Sequence, residues 1–263
     1  ISDTINGIGL LVGGFLVPIL GLMALGGGGM LDGWQRLLEN RSGMLDPIGA
    51  PGSNIPFSTL FTGMLLTNIY YWCTNQQIVQ RTFGAKSLAE GQKGVLYAAL
   101  LKLFGPFYLV LPGIIALEMF GDDLGLSDSA YPRLIEAVLP VYLVGFFGAV
   151  LFGAILSSFN SALHSASTLF GLDIYKTMLR PGASDEETVR AGKIFGGLLA
   201  IAAMSLAPLI VHAPEGLFTL MKKVGAVINI PIFAVVVMGV VTTRVHARAA
   251  KIALFSGMAF YVI

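Results

Sequence analysis

The sequence predicts an all-α integral membrane protein, and three observations support this fold class. Of its 263 residues, 55% are hydrophobic and 12% are charged, whereas an average soluble domain has about 25% charged residues. The apolar residues occur in blocks of about 20, the length at which an α-helix crosses the ~30 Å hydrocarbon core of a bilayer. Glycine and proline recur inside these blocks, which is typical of the interrupted helices of transporters.

Composition also argues against several functional classes. The net charge of +1 leaves no basic surface for a nucleic acid, so we expect no nucleic-acid partner. The single cysteine, Cys73, has no second cysteine for an internal disulfide, and the three scattered histidines do not have metal-ligand spacing. No pairing of a nucleophile with a base is evident in the apolar blocks, so we do not expect an enzyme.

Seven hydrophobic segments follow one another along the chain. They span roughly 5–26, 57–80, 94–119, 137–170, 190–212, 216–243 and 250–263. The first residues include no methionine, and the last ones lie inside an apolar run. We therefore expect a piece of a longer protein, truncated at both ends.

The charges of the connections predict their side of the membrane. Cations dominate three connections, at 81–93, 171–193 and 244–251. Acids dominate the connection at 120–136. The positive-inside rule places the cationic connections in the cytoplasm, so we expect a multi-pass protein of the plasma or bacterial inner membrane whose first segment starts inside. The outer connection at 27–56 contains a candidate amphipathic helix at 31–40.

A polar stripe follows one helical face of the fourth segment. It consists of Ala154, Ser157, Ser158, Ser161, Ser165 and Thr168. Hydroxyl groups and a free backbone carbonyl are hard oxygen ligands, which suit a small hard cation such as Na⁺. The alternative is that these residues pack against another helix and bond back to the carbonyl four residues earlier.

A second polar cluster lies in the second segment, where Asn68, Tyr71, Asn75 and Gln76 have helical spacing. Amides bind hydroxyl groups, and an aromatic ring stacks on the apolar face of a sugar, so this set suits a hydroxyl-rich ligand. The alternative is an aromatic belt at the membrane interface, because Arg81 lies near the inner end of the segment.

Lysines inside the apolar segments form a third feature. Lys102 lies about eight residues, or roughly 12 Å, inside the third segment. A lysine at that depth costs a few kcal/mol unless it is paired or solvated. Either it extends to the inner interface or it faces a wet cavity and donates hydrogen bonds to a substrate. Lys222 and Lys223 in the sixth segment present the same alternatives.

Three stretches of the sequence form distinctive motifs: Tyr70–Arg81 (YYWCTNQQIVQR), Ser157–Tyr175 (SSFNSALHSASTLFGLDIY) and the residues from Ala99 to Gly113. These motifs resemble the sodium/solute symporter family, and especially its sodium–glucose cotransporter branch. The resemblance extends over nearly the whole chain. It implies a LeuT-like core of two inverted five-helix repeats, with sodium and substrate near the membrane midplane.

The resemblance implies one transporter domain over residues 1–263. In that scheme 5–26 is the last helix of the first repeat, 57–243 is the complete second repeat, and 250–263 begins the following helix. Other sodium and substrate ligands would lie on helices before residue 1, so we expect that the 263-residue chain does not transport by itself.

The resemblance also implies a role for each site residue. For sodium, Ala154 would supply a carbonyl and Ser157 and Ser158 two hydroxyls. Asn68 and Lys102 would bond the sugar, Tyr71 would stack over it as an inner gate, and Trp72 and Gln76 would be neighbours of that gate. Lys222 stands where the sugar carriers have a glutamine, so an acidic ligand is an alternative.

We therefore expect a transporter that couples inward Na⁺ movement to uptake of a sugar or polyol, within a lipid bilayer, by alternating access. Na⁺ would be the co-transported ion. The sequence leaves glucose, galactose, inositol, another polyol and an acidic sugar open as the solute. The rival interpretations are a membrane sensor or receptor built on the same fold, and a channel.

Overall fold

A computed structural model describes residues 2–48, 56–210, 217–242 and 245–262. Within these residues the chain forms helices, turns and loops and no strand, which confirms the all-α prediction. The chain forms two compact units. The first unit contains residues 1–47 and 86–203, and the second contains 48–85 and 204–263.

The α-helices of the described residues are numbered in chain order. They are α1 (Ser2–Leu25), α2 (Met30–Leu45), α3 (Gly63–Cys73), α4 (Gln76–Phe83), α5 (Leu88–Leu103), α6 (Leu111–Phe120), α7 (Ala130–Val138), α8 (Val141–Leu169), α9 (Asp185–Ile210), α10 (Leu217–Val241) and α11 (Ala247–Val262). Two π-helical stretches, Pro106–Val110 and Phe170–Leu179, continue the chain after α5 and α8.

Among the described residues, four stretches of helix are long and apolar enough to cross a membrane. They are Thr4–Leu25, Val141–Leu179, Asp185–Ile210 and Leu220–Val241. A fifth candidate is the pair Leu88–Leu103 and Pro106–Leu124, which is bent by 46°. Five of the seven predicted segments therefore correspond to candidate spans.

The other two predicted segments are shorter helices in the described part of the chain. The segment at 57–80 is interrupted after Cys73 and continues as α4, because Thr74 and Asn75 leave helical geometry. The segment at 250–263 corresponds to α11, which has 16 residues.

The connection between α1 and α2 depends on glycine. Gly27 and Gly28 have φ of +64° and +118°, a conformation that a side chain disfavours. Beyond this turn, Gly33 of α2 approaches the backbone carbonyl of Leu22 so closely that a Cβ would collide with it. The predicted helix at 31–40 is thus confirmed as part of a longer helix, which packs back onto α1 and bends at Arg41 (φ −131°).

The core of the first unit lies where α1, α2, α6 and α7 meet. Val17, Leu37, Ile115 and Leu134 are fully buried there. Elsewhere large apolar side chains are exposed; on α8, for example, Phe152 is 63% exposed. An apolar outer surface is what a helix bundle needs when its solvent is hydrocarbon rather than water.

A glycine-lined contact joins α1 to α8 in antiparallel register. A Cβ on Gly13 would collide with the ring of Phe147, and one on Gly9 would lie 2.9 Å from Cγ2 of Val150. Small residues let the two helix backbones approach closely, which is how helices associate in lipid, where no hydrophobic driving force acts between them.

A second close contact joins the end of α8 to α9. Gly192 and Gly196 of α9 pack on Ser167, and the ring of Phe195 stacks on Phe170 with centroids 4.1 Å apart. Ser184 caps α9, since its Oγ accepts a hydrogen bond from the Glu187 amide at 3.2 Å. This cap explains why the helix begins at Asp185, five residues before the predicted start of the segment at 190, with three acidic residues in its first turn.

Residues 27–47 and 120–136, which belong to two predicted outer connections, lie at the same end of the first unit. Side chains of α2 contact Glu118 at the end of α6, and Leu134 of α7 packs near Gly21 of α1. At the far end of α8, Lys176 forms an ion pair with Asp185. The acidic and cationic connections thus lie at opposite ends of α8, as the predicted sidedness requires.

The second unit is built around α10. Tyr70 of α3 is buried and packs edge-on against Phe233 of α10, with ring centroids 6.4 Å apart. On another side of α10, Gly257 of α11 lies against Pro231, where a Cβ would be 3.0 Å from the proline ring. Pro231 lies inside α10 without ending it.

Candidate functional site

The three predicted sodium ligands lie within about one turn of α8, in the first unit. Ala154 and Ser157 are half-buried and Ser158 is exposed. The turn follows directly after the stretch of α8 that packs on α1 through Phe147 and Val150. The structure thus places this turn beside the N-terminal part of α1.

Two members of the polar stripe bond back to their own helix. The Ser161 hydroxyl donates to the Ser157 carbonyl at 2.9 Å, and the Thr168 hydroxyl donates to the His164 carbonyl at 2.8 Å. For these two residues the alternative interpretation, back-bonding within the helix, is correct. Ser165 is buried at 6% exposure, which fits the packing role.

The predicted substrate residues of the second segment lie on both sides of the break between α3 and α4. Asn68, Tyr71 and Trp72 belong to α3, and Gln76 is the first residue of α4. The Asn68 side-chain N–H donates to the Met64 carbonyl at 2.8 Å. The rings of Tyr71 and Trp72 meet edge to face at 5.4 Å, and each residue is 40% exposed.

Side-chain hydrogen bonds stabilise the interruption between α3 and α4. The Thr74 hydroxyl donates to the Tyr70 carbonyl at 2.8 Å, and this carbonyl also accepts from the Asn75 amide at 3.2 Å. Asn75 then caps α4, because its Oδ1 accepts from the Gln77 amide at 2.9 Å. Asn75 is therefore not part of the continuous helix that its spacing with Asn68 and Tyr71 implied; its side chain is occupied with the backbone.

Lys102 lies in the last turn of α5, immediately before the 46° bend. The ammonium group is therefore near the C-terminal end of a helix, where the dipole favours a cation. The Leu101 carbonyl accepts a hydrogen bond from the Phe104 amide at 3.2 Å and a second one from the Tyr108 hydroxyl at 3.4 Å, so this side chain bridges the bend. The Lys102 side chain is exposed in the structure.

The predicted residues are distributed over both compact units. Lys102, Ala154, Ser157 and Ser158 lie in the first unit. Asn68, Tyr71, Trp72, Gln76 and Lys222 lie in the second. Lys222 is on α10, near its start, and is exposed. Within each unit, the order of the helices and the contacts between them set the positions of these predicted residues.

The first unit contains a cavity that the sequence did not predict. It has a volume of about 710 Å³ and lies among α1, α5, α7, α8 and the π-helical stretch after α5. Tyr97, Tyr108 and Tyr131 line it together with apolar residues, and Thr4 and Gly14 line it from α1. None of the predicted substrate residues is among its lining residues. No periodic pattern marks these tyrosines, since they come from separate elements.

The sequence analysis also missed a cluster of polar side chains around Glu118. Asn40 donates to Glu118 Oε1 at 2.8 Å, Arg41 to Oε2 at 2.9 Å and Arg36 to Oε1 at 3.3 Å. The Glu118 side chain is only 6% exposed. A signal was present, because a glutamate within an apolar segment requires a cationic partner, and 36–41 supplies two arginines.

The chain is similar in sequence to known proteins over its whole length. Residues 1–257 match the sequence model of the sodium:solute symporter family. The chain is 47% identical over 262 residues to a protein of Escherichia coli K12 named "Uncharacterized symporter YidK", covering all of this chain and 46% of that protein.

Two further relatives carry names that state a solute. The chain is 32% identical to the sodium/glucose cotransporter of Vibrio parahaemolyticus, covering 98% of this chain and 51% of the relative. It is 31% identical to sodium/myo-inositol cotransporter 2 of Bos taurus, covering 98% of this chain and 42% of the relative. The chain thus spans about half the length of the curated relatives it matches. The match over residues 1–257 shows that the chain belongs to the sodium:solute symporter family.

Proposed function

We propose that the chain forms part of a secondary active transporter that couples inward Na⁺ movement to uptake of a sugar or related polyol by alternating access. The observation that carries the proposal is the family match along residues 1–257. Relatives named as sodium/glucose and sodium/myo-inositol cotransporters support a hydroxyl-rich solute.

The ion would bind at the turn of α8 that carries Ala154, Ser157 and Ser158. A carbonyl and two hydroxyl groups on one turn supply hard oxygen ligands without a formal charge, which suits a monovalent cation that must also leave again. The residues of the stripe that bond back to the helix, Ser161 and Thr168, lie further along α8 and are not needed as ligands.

The solute would bind to Asn68, Tyr71, Trp72, Gln76 and Lys102. The Asn68 carboxamide donates one hydrogen bond to the helix, and an asparagine side chain has capacity for three more, so it can bind sugar hydroxyls. The half-exposed rings of Tyr71 and Trp72 offer an apolar face for a sugar ring. Lys222, as a cation, would extend the range of bound solutes to an acidic sugar.

The proposed architecture is an inverted-repeat core in the plasma or bacterial inner membrane. The helix interruptions at Thr74 and after Leu103 support this architecture, because the binding sites of such transporters are typically formed by discontinuous helices. The assignment of 5–26 to the first repeat and of 57–243 to the second remains part of this proposal.

One sodium ion per cycle is sufficient for useful uptake. Moving one charge through 100 mV provides about 2.3 kcal/mol, and a tenfold sodium gradient adds about 1.4 kcal/mol. Together these terms allow accumulation of the solute by roughly 500-fold.

The test is uptake of labelled glucose, galactose, myo-inositol and a sugar acid by the full-length protein in proteoliposomes. We expect at least one solute to accumulate with an inward Na⁺ gradient and not with K⁺ in its place. An ionophore that collapses the gradient should abolish accumulation. Binding of a solute without Na⁺-dependent accumulation would favour the sensor interpretation and contradict the proposal.

The same assay applies to the 263-residue chain alone, for which we expect no uptake, because it spans about half the length of its relatives. Sodium-driven uptake by this chain would show that it contains a complete site.

A further inference from the structure

The side chain of Asn6 on α1 lies against the backbone of α8, one residue before Ala154. A Cβ added to Gly153 would be 2.7 Å from Oδ1 and 2.9 Å from Nδ2 of Asn6. The carboxamide thus fills the space that any larger residue at position 153 would need, and glycine permits its approach.

Asn6 occupies a special position in the register between the two helices. The contacts that precede it, Gly13 with Phe147 and Gly9 with Val150, are apolar. The next turn of α8 beyond Gly153 carries Ser157, about 6 Å further along the helix axis. Asn6 therefore lies where the apolar contact between α1 and α8 ends and the proposed ion-binding turn begins.

The chemistry of the side chain is unusual for a purely packing role. Asn6 is half-buried, and among the residues that the structure describes its carboxamide has no hydrogen-bond partner. An amide oxygen beside a cation site stabilises the occupied state through its dipole, and it does so without a formal charge.

We propose that Asn6 is a positioning residue of the proposed sodium site and sets its Na⁺ affinity from the side of α1. It acts through the Gly153–Ala154 turn, whose distance from α1 it fixes. This inference rests on the proposed sodium-coupled function. It means that α1, and not only the polar stripe of α8, determines the Na⁺ affinity of the site.

The experiment measures uptake by the full-length protein in proteoliposomes as a function of Na⁺ concentration. Asn6→Ala should raise the half-saturating Na⁺ concentration about 3- to 10-fold, the effect of losing one polar interaction. Asn6→Asp keeps the shape and adds negative charge, so it should lower that concentration. The KM for solute at saturating Na⁺ should stay unchanged in both variants.

Gly153 provides a geometric test of the same contact. Gly153→Ala should displace the carboxamide and raise the half-saturating Na⁺ concentration, whereas it should have little further effect when Asn6 is already alanine. Gly148→Ala is the matched control on α8, because a Cβ there meets nothing within 4 Å.

The outcomes separate the inference from the function on which it rests. A wild-type protein without sodium activation overturns both. A sodium-activated wild type with unchanged half-saturation in Asn6→Ala and Asn6→Asp overturns the inference alone. Should Asn6→Ala not fold, the isosteric Asn6→Asp decides: a lowered half-saturating concentration supports the inference, and an unchanged or raised one contradicts it.

Discussion

Arg41 donates a hydrogen bond of 2.9 Å from its Nε to Oε2 of Glu118, and so joins α2 to the end of α6 across 77 residues of sequence. Asn40 and Arg36 donate to the other carboxylate oxygen. Three donors from a little more than one turn of α2 thus converge on one buried carboxylate. These hydrogen bonds attach α2 to the end of α6, which belongs to the core of the first unit.

Glu118→Gln should destabilise the protein. The substitution removes the charge that two arginines share and leaves hydrogen-bond donors near a buried position without their full partner. Because both arginines are partly exposed, with Arg41 at 32%, the loss should be about 1–3 kcal/mol rather than that of a fully buried pair. Thermal unfolding in detergent measures the effect.

The control for this prediction is Glu90→Gln. Glu90 pairs with Lys93 at 2.8 Å, but both side chains are more than half exposed. A surface pair of this kind contributes about 0–1 kcal/mol, so the melting temperature should hardly change. Equal shifts in the two variants would show that the Glu118 cluster is no more stabilising than a surface ion pair.

Gly13→Ala should disturb the contact between α1 and α8. The new methyl group would overlap the ring of Phe147, which is 3% exposed and cannot move outward freely. Overpacking of this kind costs about 1–3 kcal/mol. The measurement is again the unfolding temperature, with Gly148→Ala as the control on an open helix face.

A smaller residue at position 147 should relieve the Gly13→Ala defect. We expect the double variant Gly13→Ala, Phe147→Leu to be more stable than Gly13→Ala alone. If Phe147→Leu only adds its own cost, the two residues do not oppose each other across this contact.

Asn75→Ala should destabilise the first turn of α4, just after the interruption between α3 and α4. It removes the acceptor of the Gln77 amide, and loss of an N-cap costs about 0.5–2 kcal/mol. Hydrogen exchange of the Gln77 amide should become faster. The KM for the solute should rise, because Trp72 and Gln76 lie on the two sides of the break.

Asn75→Asp is the matched variant, since it keeps a side-chain acceptor at the cap position. It should preserve slow exchange at Gln77. Faster exchange in both variants would mean that the backbone, and not the side chain at position 75, holds the break.

Ser158→Ala in the full-length protein should abolish sodium dependence of uptake, because it removes one of the proposed hydroxyl ligands. Thr168→Val is the control on the same helix, since the Thr168 hydroxyl is already bonded to the His164 carbonyl. Unchanged sodium activation in Ser158→Ala would contradict the assignment of the ion site to this turn of α8.

The polar residues of the candidate site were identifiable from the sequence, but their local structure was not. Serines at helical spacing predict a polar face, but the spacing does not show that the Ser161 and Thr168 hydroxyls bond back to carbonyls of their own helix. Asn75 likewise has the right spacing for the face of Asn68 and Tyr71. Its side chain instead caps the next helix, because a side-chain acceptor competes with the backbone for the same amide.

The sequence by itself determined that the protein is helical and belongs in a membrane. Both conclusions follow from hydropathy, which is a property of residues adjacent in the chain. Only the tertiary structure decided that Arg41 meets Glu118, that Asn6 lies on Gly153, and that three tyrosines line one cavity. These contacts join residues far apart in sequence, and in lipid they depend on how closely two helix surfaces fit, which no local pattern of hydrophobicity records.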